Sequence, residues 1–197
     1  MFAYGGEECG AVQEQVSDTD ELAVALRRGE ERALVGLYDR YGGAVYSLAL
    51  RITRDRATAE EISLDSFHQV WQQAGRYDAG QGSLASWLFT IARSRALDRV
   101  RAASAAKRRP IVEPTAVVSE GPEVAADLEQ RRVLVRTAMA RLTEAQRAAL
   151  ELAYYEGLSH SQIAARLDQP LGTIKTRIRQ AMLALRESLE PVLSAQP

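Results

Sequence analysis

Lys175, Thr176, Arg179 and Gln180 have residue types and a spacing that point to nucleic-acid chemistry. On a helix advancing about 100° per residue they fall roughly 100°, 200°, 140° and 240° around from Ile174. They therefore share one arc, opposite an apolar stripe of Ile174, Ile178, Ala181, Met182 and Leu185. Cations suit phosphate or guanine, an amide suits adenine, and a hydroxyl suits either. From Gly172 to Arg186 the chain holds four bases (Lys175, Arg177, Arg179 and Arg186) and no acid. A duplex presents its phosphates to such a surface.

A second basic stretch lies earlier. Arg93, Arg95, Arg99, Arg101, Lys107, Arg108 and Arg109 are set against Asp98 alone, a balance suited to a phosphate backbone. Tyr77, Trp87 and Phe89 lie just before it, and aromatics beside a basic track suit the stacking of single-stranded bases. Trp87 and Phe89 suit a hydrophobic core equally well.

Chemistry of other kinds finds little support. No Gly-rich phosphate loop follows a strand, and no Ser/His/Asp constellation stands out, so an enzyme is not expected. Asp18, Asp20 and Glu21 read as helix caps rather than paired catalytic carboxylates. Cys9 is the one cysteine, which excludes an intrachain disulfide and a cysteine-built zinc site. His68 and His160 are far apart, and neither a metal nor a cofactor is expected.

The elements that must position the basic residues are helices. Alanine, leucine, arginine and glutamate dominate, and strand-like alternation is scarce. Ser159–Leu167 is predicted as a short helix burying Ile163, Ala164 and Leu167. Asp168-Gln169-Pro170-Leu171-Gly172 follows as the turn, with Gly172 relieving the bend, and a second helix starts at Thr173. This is the order of a helix-turn-helix, whose second helix enters the major groove. Thr143–Gln146 and Ser159–Gln162 both fit the capping box that opens a helix.

Upstream, Leu34, Leu37, Tyr38, Tyr41, Val45, Leu48 and Ala49 follow helical spacing, with an interruption expected at Gly42-Gly43. A polar break at Thr53–Arg56 precedes Ala59, Ile62, Phe67, Val70 and Trp71. Gly75–Gly82 carries three glycines and is expected to be a loop. Ser83 can cap the helix after it, which turns Trp87, Leu88, Ile91, Ala92, Leu97 and Val100 inward.

The chain has 197 residues, with 46% hydrophobic and 26% charged residues and a net charge of −1. That length accommodates two small domains. Pro110 to Leu128 holds three prolines and four acids with no base, a composition that favours an extended linker. The expected architecture is all-α: an N-terminal tail over 1–17, a helical domain over 18–106, a linker over 107–128 and a helix-turn-helix domain over 129–192. Met1 to Val16 lacks the order of a signal peptide, and no apolar run is long enough to span a bilayer. The chain reads as cytoplasmic, with no direct membrane insertion.

These residues resemble a known family. Leu142–Arg147, Leu152–Ser159 and Gly172–Ile178 are similar to the C-terminal domain of extracytoplasmic-function (ECF) sigma factors. Ala59–Ile62 through Phe67 and Trp71 resembles the family's helix that grips the RNA polymerase clamp. Tyr77-Asp78, Gly82–Leu88, Ile91–Arg93 and Asp98-Arg99 resemble the part that reads the −10 element. The matches cover about 18–104 and 129–190 in the family's order.

The resemblance implies a sigma factor that binds core RNA polymerase, recognises promoter DNA and assists its opening. It assigns Thr173, Lys175, Thr176, Arg177, Arg179 and Gln180 to the −35 element. Arg76, Tyr77, Asp78, Ser83, Trp87, Arg93 and Arg99 fall to the −10 element, where the loop Arg76–Ser83 would hold a flipped base. Glu61, Asp65, Phe67 and Trp71 fall to polymerase. The four-residue spacing of Phe67 and Trp71 fits a core face as well as the clamp. An anti-sigma factor is implied as a further partner. The chain departs from the family's habits at Ser63, where an aliphatic residue is usual, at Leu64, where Gln is usual, and at Ser94, where Asn is usual. The alternative reading is an ordinary helix-turn-helix regulator with a sensor or dimerisation domain in its first half.

Overall fold

A computed structural model describes residues 21–106 and 133–193. Every regular element among them is helical, and they divide into two compact units, each taken here by itself. The expected tail over 1–17 and linker over 107–128 lie outside the described residues, as do Cys9, Lys107, Arg108 and Arg109.

In the first unit a short helix α1 (21–27) leads into α2 (Glu31–Thr53), α3 (Arg56–Gln72) and α4 (Leu84–Ala106). Two single 3₁₀ turns, Ala74–Arg76 and Ala79–Gln81, lie between α3 and α4. The three long helices pack against one another around Leu37, Val45, Phe67, Val70, Leu84 and Leu88, with Leu26 of α1 closing one side. Fully burying an aliphatic or aromatic side chain contributes about 1.5–3 kcal/mol, so this cluster supplies the domain's cohesion.

The break expected at Thr53–Arg56 is present. Arg54 takes a left-handed conformation (φ 56°), and the Asp55 carboxylate accepts from the Thr58 amide at 2.8 Å to start α3. The interruption expected at Gly42-Gly43 is absent. Helix α2 runs through both glycines, and Gly42 is buried, where an added Cβ would lie 3.4 Å from the Tyr38 ring. The glycine admits the ring of the preceding turn instead of breaking the helix.

The second unit holds α5 (133–140), α6 (Glu144–Tyr154), α7 (His160–Leu167) and α8 (Leu171–Leu193). Its core is small: Ala149, Ile163 and Ile174 are buried, and Leu152, Leu158, Leu167 and Ile178 close around them. Both expected capping boxes form. Thr143 Oγ1 accepts from the Gln146 amide at 3.3 Å, and Ser159 Oγ accepts from the Gln162 amide at 3.3 Å. With so little core, these caps carry a large share of the local order. Ser159→Ala is expected to destabilise the second unit by about 1 kcal/mol, seen as a lower midpoint in thermal unfolding. An unchanged midpoint would show that α7 does not depend on its cap.

Candidate nucleic-acid interface

The reversal between α7 and α8 is tighter than the sequence suggested. Asp168 alone turns the chain, in a left-handed conformation at φ 50°, and α8 starts at Leu171 rather than Thr173. Gly172 is therefore not the bend. It lies exposed in the first helical turn with open space where a Cβ would stand. The earlier start adds two residues, about half a turn, to α8. Its first turn holds no acid, so unpaired amides and the positive end of the helix dipole are unopposed.

On α8 the structure brings Lys175, Thr176, Arg179 and Gln180 together on one exposed face, while Ile174 and Ala181 point inward. Among the described residues no ion pair engages Lys175 or Arg179. Thr176 Oγ1 donates to the Gly172 carbonyl at 2.9 Å, which leaves its lone pairs for an incoming donor. Gln180 Oε1 accepts from Gln146 Nε2 at 3.4 Å, tying the reading face to the start of α6. Arg177 is set apart. It is half-buried on the other side of the helix, where Nη2 donates to Gln169 Oε1 at 3.4 Å and braces the turn. Thr173 is half-buried as well. Met182, expected to face inward, is instead 55% exposed.

In the first unit Arg76, Asp78 and Ser83 stand exposed on the segment between α3 and α4. This segment is less irregular than its glycines implied, since two 3₁₀ turns fill most of it and Gly82 relieves the exit at φ 140°. Asp78 organises it from within. Its carboxylate accepts from Gln81 Nε2 at 3.1 Å and from the Gly80 amide at 3.0 Å, and these bonds hold its pKa below the ordinary carboxylate value. Ser83 Oγ accepts from the Ser86 amide at 3.2 Å, capping α4 as expected.

Tyr77 lies beneath this segment. Only 7% exposed, it forms the floor of the segment. Its hydroxyl donates to the Gly82 carbonyl at 3.1 Å, and its ring stacks on half-buried Trp87 at 5.7 Å. A tyrosine in a glycine-rich stretch looks exposed in the sequence, whereas here the polar tip finds a partner five residues on and the ring packs as core.

Over the described residues, the basic track on α4 meets acids that the fold brings beside it. Arg95 pairs with Asp65 at 2.8 Å and donates to Gln69 Oε1 at 2.8 Å. Arg99 pairs with Glu61 at 2.5 Å, and Arg101 pairs with Asp98 at 3.0 Å. Arg93 is half-buried and engaged within the chain. Three of the four arginines of α4 thus meet carboxylates, two of which lie on α3, 30 and 38 positions upstream. Counting charge along the sequence overstated the field, because residues 61, 65 and 69 form a one-face stripe that the fold lays beside α4.

Of the residues assigned to polymerase, Glu61 and Asp65 are the acids in these pairs, each about half exposed. Phe67 does not reach the surface. It is 4% exposed, lies in the core and meets the edge of Tyr38 at 5.1 Å between ring centres. Trp71 is half-buried against the same core. Leu64, one turn from Phe67 on the outer face of α3, is 61% exposed, and the hydrophobic pattern gave no reason to look for it there. Among the described residues no cluster of His, Cys, Asp and Glu is placed to hold a metal.

The profile of sigma-70 region 2 matches residues 37–106, and that of sigma-70, region 4 matches residues 132–185. The ECF RNA polymerase sigma factor SigK of Mycobacterium sp. (strain JLS) is 41% identical over 178 residues, spanning 87% of this chain and 92% of the relative. The chain belongs to the ECF sigma factor family. The SigK of Mycobacterium tuberculosis (strain ATCC 25618 / H37Rv) is 37% identical over 179 residues, spanning 88% and 95% of the two chains. Among solved structures, Rhodobacter sphaeroides SigE in complex with the anti-sigma ChrR aligns with a TM-score of 0.48 and 33% identity, covering 87% of this chain and 98% of that one. In the family's terms, α3, α4 and α2 from residue 37 on fall within region 2, and α5, α6 and α7 within region 4, together with α8 as far as residue 185. Helix α1 lies before the start of the region 2 match.

Proposed function

We propose that this sigma factor docks on core RNA polymerase through the outer face of α3, captures unpaired −10 bases beside Arg76, Asp78, Ser83 and Trp87, and lays α8 in the −35 major groove. The observation that carries the reading is the acid-free stretch of α8 up to Arg186, with Lys175, Thr176, Arg179 and Gln180 on one exposed face. Leu64, Glu61, Asp65 and the exposed part of Trp71 give α3 a mixed apolar and acidic surface for polymerase. Tyr77 supports the −10 segment from below. The protein acts by binding rather than as an enzyme, with no cofactor. Its domains are those over 18–106 and 129–192, joined by a linker over 107–128.

An anti-sigma factor holds the protein inactive until a signal releases it, a reading supported by family membership. Its place of action is the cytoplasm, beside the polymerase. No helix among the described residues is long and apolar enough to cross a membrane.

Run-off transcription with core polymerase on a promoter library tests the proposal. Transcripts that depend on this chain and share −35 and −10 sequences are the expected result. If the chain binds duplex DNA yet neither binds core polymerase nor starts a transcript, it is an ordinary helix-turn-helix regulator.

A further inference from the structure

Arg27 is the last residue of α1, is exposed, and lies outside the core to which Leu22, Ala23 and Leu26 of the same helix contribute. Its side chain nonetheless reaches 50 positions along the chain to the segment between α3 and α4. The guanidinium Nη2 donates to the Tyr77 carbonyl, and Cζ stands 5.5 Å from the centre of the Tyr77 ring. The same charge acts on the neighbouring Asp78 carboxylate.

The segment also carries bonds that are internal to it or reach the start of α4. Tyr77 closes on Gly82, Asp78 on Gly80 and Gln81, and Ser83 on Ser86. These bonds set the segment's shape, and the burial of Ala74 and Tyr77 seats its floor on the core. Arg27 supplies an anchor from a separate helix. A planar guanidinium can donate to the carbonyl and lie against the ring at once, which an ammonium on a flexible stem does poorly.

We propose that Arg27 is a positioning residue for −10 recognition: through Tyr77 it fixes the place and orientation of the Arg76–Ser83 segment. The inference rests on the reading of that segment as the −10 reader. It assigns a part in promoter selection to α1, which lies outside the region 2 match.

The test uses the full chain assembled with core polymerase, as wild type, Arg27→Ala and Arg27→Lys. Each is assayed on promoters with a fixed −35 element and a randomised −10 element. Affinity for −35 duplex, affinity for core polymerase and the thermal midpoint are measured in parallel. Arg27→Ala is expected to lose about three- to tenfold of its −10 base preference, the range of one net hydrogen bond with a weak cation–π contact. Affinity for −35 duplex and for core polymerase is expected to stay at wild-type values and the thermal midpoint to fall by no more than the few degrees one hydrogen bond is worth, with Arg27→Lys between. Unchanged −10 preference in Arg27→Ala overturns the proposal. So does a loss of all four properties together, which makes Arg27 a general stabiliser. A wild-type enzyme without any −10 preference removes the −10 reading first and the proposal with it.

Discussion

Replacing Phe67 by alanine is expected to cost the first domain about 3–5 kcal/mol and to unfold it. The ring is 4% exposed among Leu37, Val70 and Leu88, with the Tyr38 edge against it, so truncation leaves a cavity between the long helices. Small domains have about 5–15 kcal/mol in hand, and a loss of that size removes most of the margin. Circular dichroism should show the helix signal falling to a remainder that melts as the second unit alone. Leu64→Asp is expected to do the opposite. Leu64 is 61% exposed, so the charge enters water without opening the core. The fold should persist while the variant no longer co-purifies with core polymerase. A folded Phe67→Ala chain that has lost polymerase would return Phe67 to the interface and refute the burial argument.

That contrast also marks the limit of reading a helix from its sequence. Spacing of four placed Phe67 and Trp71 on one face, which is correct, but it did not say whether water or a neighbouring helix meets that face. The answer depended on where α2 lies. The capping boxes at Thr143 and Ser159 were legible because both partners sit within three residues. The all-helical architecture and the break at Thr53–Arg56 were legible for the same reason. Local chemistry misled where a distant group decided the outcome. Gly42 looked like a breaker until the Tyr38 ring occupied its missing Cβ space, and Tyr77 looked exposed until Trp87 and Arg27 covered it. The start of α8 was displaced by two residues because Pro170 and Gly172 are stronger punctuation than Asp168, which nevertheless makes the turn.

The charges of α4 follow the same logic with a functional consequence. Arginines that would otherwise present a uniform basic track are each answered by a carboxylate or an internal contact. Half-exposed pairs of this kind are worth at most about 1 kcal/mol, so they trim the field around α4 without locking it. Lys175 and Arg179 of α8 meet no carboxylate among the described residues. Salt-sensitive, long-range attraction to duplex DNA should therefore come chiefly from the second unit, with the first adding shape and stacking.

Arg179→Ala and Lys175→Ala separate the two roles that a reading face can contain. Both side chains are exposed on α8 and free of ion pairs among the described residues, so removing either leaves no buried charge and should not disturb Ile163 or Ile174 beneath. Arg179 lies near the middle of the arc, beside Gln180 and Thr176, where a fork of donors can meet a guanine edge. Its truncation is expected to weaken −35 binding by about 1–3 kcal/mol, with the loss concentrated at one base position. Lys175 sits nearer the helix start, where the dipole already draws phosphate. Its truncation is expected to weaken all duplexes about equally and to reduce the slope of log affinity against log salt by about one. Fluorescence anisotropy across a −35 substitution series at three or more salt concentrations reads both effects. If Arg179→Ala keeps its base preference and Lys175→Ala keeps its salt slope, α8 meets the groove by another face, and the arc drawn from Ile174 is the wrong one.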